Sequence, residues 1–344
     1  MRCGALHGMV LVFILVVAAA QAQESRLADG FKVMNHFVGN WRTEVNDKPS
    51  KFVPNGGNFT DLESTSRTLN GRFILGRQIR QGSGDKSLWL MTYDPQADNY
   101  PFWYFSSSGV LGGEWVGKWD EQTRTWSGKT TDTPAGWTSG GGNHFPDEKT
   151  VKVNVWMKDE NGTLLLDSTA GKTRQPDASR EKMLASWSEA AKPTQPAPPE
   201  LKVLEKLIGE WDAAAVFKPA EWTPKEERSS SKVTRSWVLD GWLLQDTAKI
   251  SNGSESISLL GYDPQQKKYR GWWFNSEGHR NKSFGDWDEA SGTLSFRADL
   301  EDELISTSSV NFIDQNHHVW KVQVKDAEGK LFFDGEWTVA RRKE

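Results

Sequence analysis

The stretch Phe31 to Trp41, FKVMNHFVGNW, recurs 170 positions later as Leu201 to Trp211, LKVLEKLIGEW. Both stretches place apolar side chains at helical spacing (Phe31, Met34, Phe37 and Leu201, Leu204, Leu207) and then pass into Gly-x-Trp. Pro198 and Pro199 stand where the second helix would begin, a position at which a missing amide hydrogen costs nothing. One or two turns of helix, a glycine and an indole are therefore expected at the head of each half.

Outward from these anchors the rest of the chain also lies on itself. Leu69-Asn70-Gly71 matches Leu239-Asp240-Gly241, and Tyr93-Asp94-Pro95 with Tyr100 matches Tyr262-Asp263-Pro264 with Tyr269. Trp103 and Phe105 match Trp272 and Phe274, and Gly117-Lys118-Trp119-Asp120-Glu121 matches Gly285-Asp286-Trp287-Asp288-Glu289. Lys158-Asp159-x-x-Gly162 with Asp167 matches Lys325-Asp326-x-x-Gly329 with Asp334. The order is kept and the offset drifts only from 170 to 167, so the chain is a tandem duplication. Residues 25–175 and 200–344 form the two domains, each of about 140 residues. Residues 176–199 link them: Asp177 to Ala191 reads as a short helix, or Met183 to Glu189 as a strand, and Lys192 to Pro199 is an extended segment with four prolines.

Between the anchors the grammar is strand and turn. Val151, Val153, Val155 and Met157 alternate with Lys152, Asn154 and Trp156, and Trp320, Val322 and Val324 alternate with Lys321, Gln323 and Lys325. Asp159 to Gly162 and Asp326 to Gly329 are hairpin turns ending on the glycine that positive φ favours. Asp before Pro at 94–95 and 263–264 starts turns of another kind. Local hairpins in succession, each copy opening with a helix, predict an all-β protein: two up-and-down antiparallel barrels, closed so that neither leaves an unpaired edge.

Residues Met1 to Ala22 read as a cleaved secretory leader, with Arg2, the apolar run Met9 to Ala20 and Ala20-Gln21-Ala22 at its end. The apolar run is 12 residues, shorter than a spanning helix, and no later run is apolar enough to span, so a secreted or periplasmic protein is expected. The only cysteine is Cys3, which leaves the mature chain without disulfides or thiolate chemistry. With Arg2 removed, 41 basic residues face 46 acidic ones, a net charge of about −5 that argues against a nucleic-acid partner.

Gly-x-Trp after a short helix, at the head of an antiparallel barrel, is similar to the lipocalin and calycin pattern. The ordered set Gly-x-Trp, Asn/Asp-Gly, Tyr-Asp-Pro, aromatic strand and Gly-x-Trp-Asp resembles a bacterial family known as domain of unknown function 1579, and the likeness covers nearly all of both copies. It implies a calycin-like barrel, often exported, and carries no catalytic residues.

The chain has 18 tryptophans. Trp41 and Trp211, in Gly-x-Trp, are assigned to closing the barrel base. Trp103, Phe105, Trp115, Trp272 and Phe274 are the candidate ligand-binding residues, since aromatic side chains lining a barrel suit a small apolar or sugar-like ligand. The second copy has Ser283 and Leu294 in place of Trp115 and Trp126, so the copies are expected to differ in what they hold. No residue is assigned to catalysis or to a metal: there is no Gly-x-Ser-x-Gly elbow and no paired histidine spacing. The recurrent carboxylates Asp94/Asp263, Asp120/Asp288 and Asp167/Asp334 sit beside turn residues, where capping explains them. No cofactor is expected, haem held by His317 or His318 being the alternative. The reading is a non-catalytic ligand-binding protein, against an enzyme such as an isomerase or hydrolase with charged groups converging in one barrel, or a structural envelope protein.

Overall fold

The computed structural model describes residues 26–107, 112–132, 136–188 and 198–343. The expected leader and most of the proline-rich segment lie outside these residues.

The first unit opens with a helix over 26–35, α1. Ten strands follow: β1 (Gly39–Asp47), β2 (Gly57–Thr68), β3 (Phe73–Arg80), β4 (Lys86–Thr92), β5 (Tyr100–Ser106), β6 (Gly113–Asp120), β7 (Thr125–Asp132), β8 (Thr138–His144), β9 (Thr150–Lys158) and β10 (Leu164–Gln175). Each pairs with the next, and β10 returns to β1 to close the ring. The segment after it carries α2 (Ser179–Ser188), whose Met183 and Trp187, four residues apart, are both buried, with the Arg77 guanidinium 5.4 Å from the Trp187 ring.

The second unit repeats the design. A 3-10 turn (Pro199–Leu201) runs into α3 (Lys202–Glu205). Then come β11 (Gly209–Phe217), β12 (Glu227–Val238), β13 (Leu243–Ile250), β14 (Glu255–Asp263), β15 (Lys268–Asn275), β16 (Arg280–Asp288), β17 (Thr293–Asp299), β18 (Ile305–Phe312), β19 (His317–Lys325) and β20 (Leu331–Arg341). The ring again closes, first strand on last. Two closed antiparallel barrels in tandem, each with a short helix before it, are thus observed as the repeat implied.

The turns use the chemistry their residues allow. Asp159 Oδ1 accepts from the amides of Asn161 and Thr163, and Asp326 Oδ1 from those of Glu328 and Lys330. Asp94 and Asp263 do the same for the two residues following their prolines. Asp120 and Asp288 cap the turns after β6 and β16. The remaining pair, Asp167 and Asp334, meets Lys48 and Lys218. Two of the recurrent carboxylate pairs thus cap turns as expected, and the third is ion-paired instead.

At the helix end, each barrel is shut by the same latch. Trp41 Nε1 donates to Phe37 O, and Arg174 at the end of β10 lies 4.3 Å over the indole while its Nη1 donates to Val38 O. In the second copy Trp211 Nε1 donates to Leu207 O, and Arg341 lies 4.1 Å over the ring with Nη1 donating to Ile208 O. Both indoles are almost fully buried. The glycine of Gly-x-Trp is required twice over. Gly39 and Gly209 have φ of 141° and 124°, and a Cβ at either would overlap the arginine. Arg174 and Arg341 were not identified from sequence; they lie 167 residues apart, the offset of the repeat's last part.

Gly209→Ala should therefore destabilise the second barrel by about 2 kcal/mol through backbone strain and loss of the latch. In urea unfolding followed by tryptophan fluorescence, the transition of that barrel should move to lower urea while that of the first stays in place.

Candidate ligand-binding site

A ten-stranded ring encloses a wider interior than an eight-stranded one, and only large side chains fill it. Alternation along each strand decides which residues enter. On β5, Tyr100, Phe102 and Tyr104 pack with the interior cluster that includes Trp41, Trp89 and Trp126. Trp103 and Phe105 occupy the alternate positions and face away from the interior, with Phe73 6.4 Å from Trp103. The equivalent strand β15 turns Tyr269 and Trp273 inward, so Trp272 and Phe274 also lie on the outer face. Four of the five candidate aromatics are thus buried outside the barrel interiors. The reason is that FWYF and WWF are aromatic on both faces, and phase is set by register with neighbouring strands. Trp115 does face inward, paired across to Phe102 with ring centroids 5.4 Å apart.

Phe102 is the centre of the inner aromatic wall. Trp89 lies 5.5 Å from it and Trp126 5.9 Å. Trp89 and Trp126 lie flat against the sheet because Gly76 and Gly117 offer no side chain; a Cβ at either would overlap the indole.

The same interior also carries polar and charged groups. Asp61 on β2 accepts from Gln78 Nε2 and, at 3.3 Å, from Arg80 Nε, both on β3. Two residues along the same face, Glu63 accepts from Thr65 Oγ1 at 3.2 Å and from Lys172 Nζ at 2.8 Å. Ser87 and Tyr104 share a 2.6 Å hydrogen bond. Asp61 and Glu63 are each only 2% exposed. Burial pushes the Asp61 carboxyl up from its ordinary value, against the pull of Arg80 and Gln78. Burial likewise raises the Tyr104 phenol, keeping it a donor at neutral pH. Three further inward-facing atoms, Thr43 Oγ1, Trp126 Nε1 and Ser139 Oγ, are buried with no hydrogen-bond partner among the described residues.

The second barrel is furnished differently at matching positions. Val233 and Val339 replace Glu63 and Lys172. Ser231, Ala248 and Ile250 stand for Asp61, Gln78 and Arg80. Its own charged cluster lies nearer the latch: Arg235 Nε donates to Asp246 at 2.5 Å, and Arg235 Nη1 to His318 Nε2 at 3.0 Å. His318 is 1% exposed and stands edge-on to Trp211 at 4.7 Å. His317, by contrast, is on the surface beside Asp314.

Outside the first barrel, a cleft of about 500 Å³ runs between α1 and the turns after β4 and β6. There His36 stacks on Trp119 at 5.2 Å. A void of about 10 Å³ beside Glu63, Lys172 and Trp41 is near the size of one water.

Burial, with Arg235 and Arg341 adding to it, pushes the His318 imidazole down to about 3 from 6.5. The unfolded chain binds a proton there once the pH drops below about 6.5, while the folded barrel does not, so stability is lost as pH falls. Between pH 7 and pH 4.5 the wild-type second barrel should lose roughly 2–3 kcal/mol more than a His318→Gln variant, measured by urea unfolding at each pH.

A comparison with curated proteins finds no match. Among solved structures the chain is similar to a protein of unknown function of the DUF3598 family from Nostoc punctiforme, at 11% identity and a TM-score of 0.28, over 91% of this chain and 99% of that one. It is also similar to an S-type phycobiliprotein lyase from Guillardia theta (13%, TM-score 0.31, 42% of this chain and 92% of that one). A third likeness is to Rv2717c from M. tuberculosis (14%, TM-score 0.34, 43% of this chain and 100% of that one). Residues 197–338, nearly all of the second barrel, match the family described as "Protein of unknown function (DUF1579)", the family that the ordered motif set resembles.

Proposed function

We propose that this protein binds small molecules inside its barrels, and that the first barrel takes a compact ligand with a flat apolar body and a hydrogen-bonding head. The observation that carries this reading is the inner face of that barrel. An aromatic wall of Trp89, Phe102, Trp115 and Trp126 shares the interior with fixed polar groups, and three buried polar atoms on that inner face have no hydrogen-bond partner among the described residues. Apolar lining with a few convergent polar groups is the composition of a ligand site. The charged groups favour binding over catalysis because each carboxylate is already engaged, Asp61 by Arg80 and Gln78 and Glu63 by Lys172. A general acid or base has to be free to exchange its proton with a substrate. The leader-like segment Met1 to Ala22 supports a secreted or periplasmic setting for this binding.

The test is a fluorescence titration of the whole protein with 1-naphthol and, for comparison, naphthalene, which has the flat body without the head. Saturable quenching with tighter binding of naphthol is expected. Trp115→Ala should weaken naphthol binding about tenfold, the effect of removing one stacked ring. Quenching that does not saturate, or that Trp115→Ala leaves unchanged, would overturn the reading.

A further inference from the structure

We propose that the second barrel holds a ligand site of its own, in which the N–H groups of His318 and Trp320 receive the oxygen of a carbonyl or carboxylate on an otherwise apolar molecule. The argument begins with a tautomer. Arg235 Nη1 lies 3.0 Å from His318 Nε2, and a guanidinium can only donate. Nε2 is therefore the acceptor, and the neutral imidazole carries its hydrogen on Nδ1. That Nδ1 is buried with no partner among the described residues. So is Nε1 of Trp320, a group that can only donate. Both residues are on the inward face of β19, two positions apart, with Trp320 set against Val310 and Trp337 across the neighbouring strands. Two enclosed donors without acceptors are costly to leave unmade, and a ligand oxygen placed between them removes the cost.

The surroundings define the rest of the ligand. The charge of Arg235 is met by Asp246, so the site offers donors without a large net positive charge. An ammonium group, itself only a donor, has nothing to bond to His318 Nδ1 or Trp320 Nε1. The inner face of β11 to β13 carries the small side chains Ala213, Ala215, Ser231 and Ala248. Ala213 and Ala248 pack with Trp211, Val233, Val339 and Trp337, an apolar cluster against which the rest of the ligand would lie. Trp320 as a whole is half-buried, while its Nε1 is fully enclosed. In the first barrel the matching positions are Val151 and Val153, which have no donors. This site thus belongs to the second barrel alone and stands independently of the proposal for the first.

The experiment is a nitrogen-15 spectrum of the whole protein titrated with three probes of similar length: octanoate, 2-nonanone and octylamine. The Trp320 indole N–H is assigned by its loss in Trp320→Phe, which keeps a ring and removes the donor. That resonance should move on adding octanoate or 2-nonanone and stay still with octylamine, and the stronger of the two identifies carboxylate or carbonyl. Trp320→Phe should bind the better probe about fivefold more weakly, the worth of one neutral hydrogen bond. A resonance unmoved by both oxygen probes, an equal response to octylamine, or unchanged affinity in Trp320→Phe overturns the site. Should the variant not fold, a crystal structure of the wild-type protein soaked in the two oxygen probes decides: oxygen density against His318 Nδ1 supports the proposal, and its absence there overturns it.

Discussion

Hydrogen bonding of the first strand to the last is what turns each meander into a container. β1 pairs with β10 from Asn40 to Asp47, and β11 with β20 from Trp211 to Phe217. Without that pairing each sheet would carry two unpaired edges, open to other chains, and an inner face exposed to water. The arginine laid over the Gly-x-Trp indole fastens this seam where it meets the helix. It joins the last strand to the carbonyl just before the first, and the indole's own N–H reaches back to the turn that follows the helix. The opening turn and first strand of each copy are tied to its distant last strand at one point, in both copies by the same atoms.

With the container fixed, the copies were free to diverge inside it. The first barrel keeps ion pairs on the inner face of β2; the second moves its charges one layer toward the latch, onto Arg235 and Asp246. Buried ion pairs add little net stability over apolar side chains of similar size, because desolvation consumes most of the attraction. Stability does not explain retaining Glu63 and Lys172 in one interior where the other copy has two valines.

The fold was legible because its signals were local and stated twice. Turn aspartates, hairpin glycines and the helix-Gly-x-Trp anchor each report on a few neighbouring residues, and the repeat confirmed them. The interior was not legible, for two reasons. β5 and β15 are aromatic on both faces, so their alternation has a period but no phase; Trp103 and Phe105 could not be told from Phe102 and Tyr104 without the neighbouring strands. Asp61 and Glu63 look like ordinary solvent-facing carboxylates, and their partners Arg80 and Lys172 lie in other strands. A usable signal did exist in the duplication. Val233 and Val339, at the positions of Glu63 and Lys172, mark both as inward-facing, and aligned charge-to-valine exchanges are a sign of paired burial.

That exchange has a consequence for how the two halves can evolve. Glu63 and Lys172 come from opposite ends of one domain, as do their counterparts Val233 and Val339. A recombination that carried β2 from one half into the other, leaving the partner strand behind, would strand a lone carboxylate or ammonium against a valine. An uncompensated buried charge of this kind costs about 3–5 kcal/mol, a large part of what holds a domain together. Segments therefore cannot be traded piecemeal between the halves; an entire domain is the smallest unit that crosses without penalty, which shields the two interiors from being homogenised.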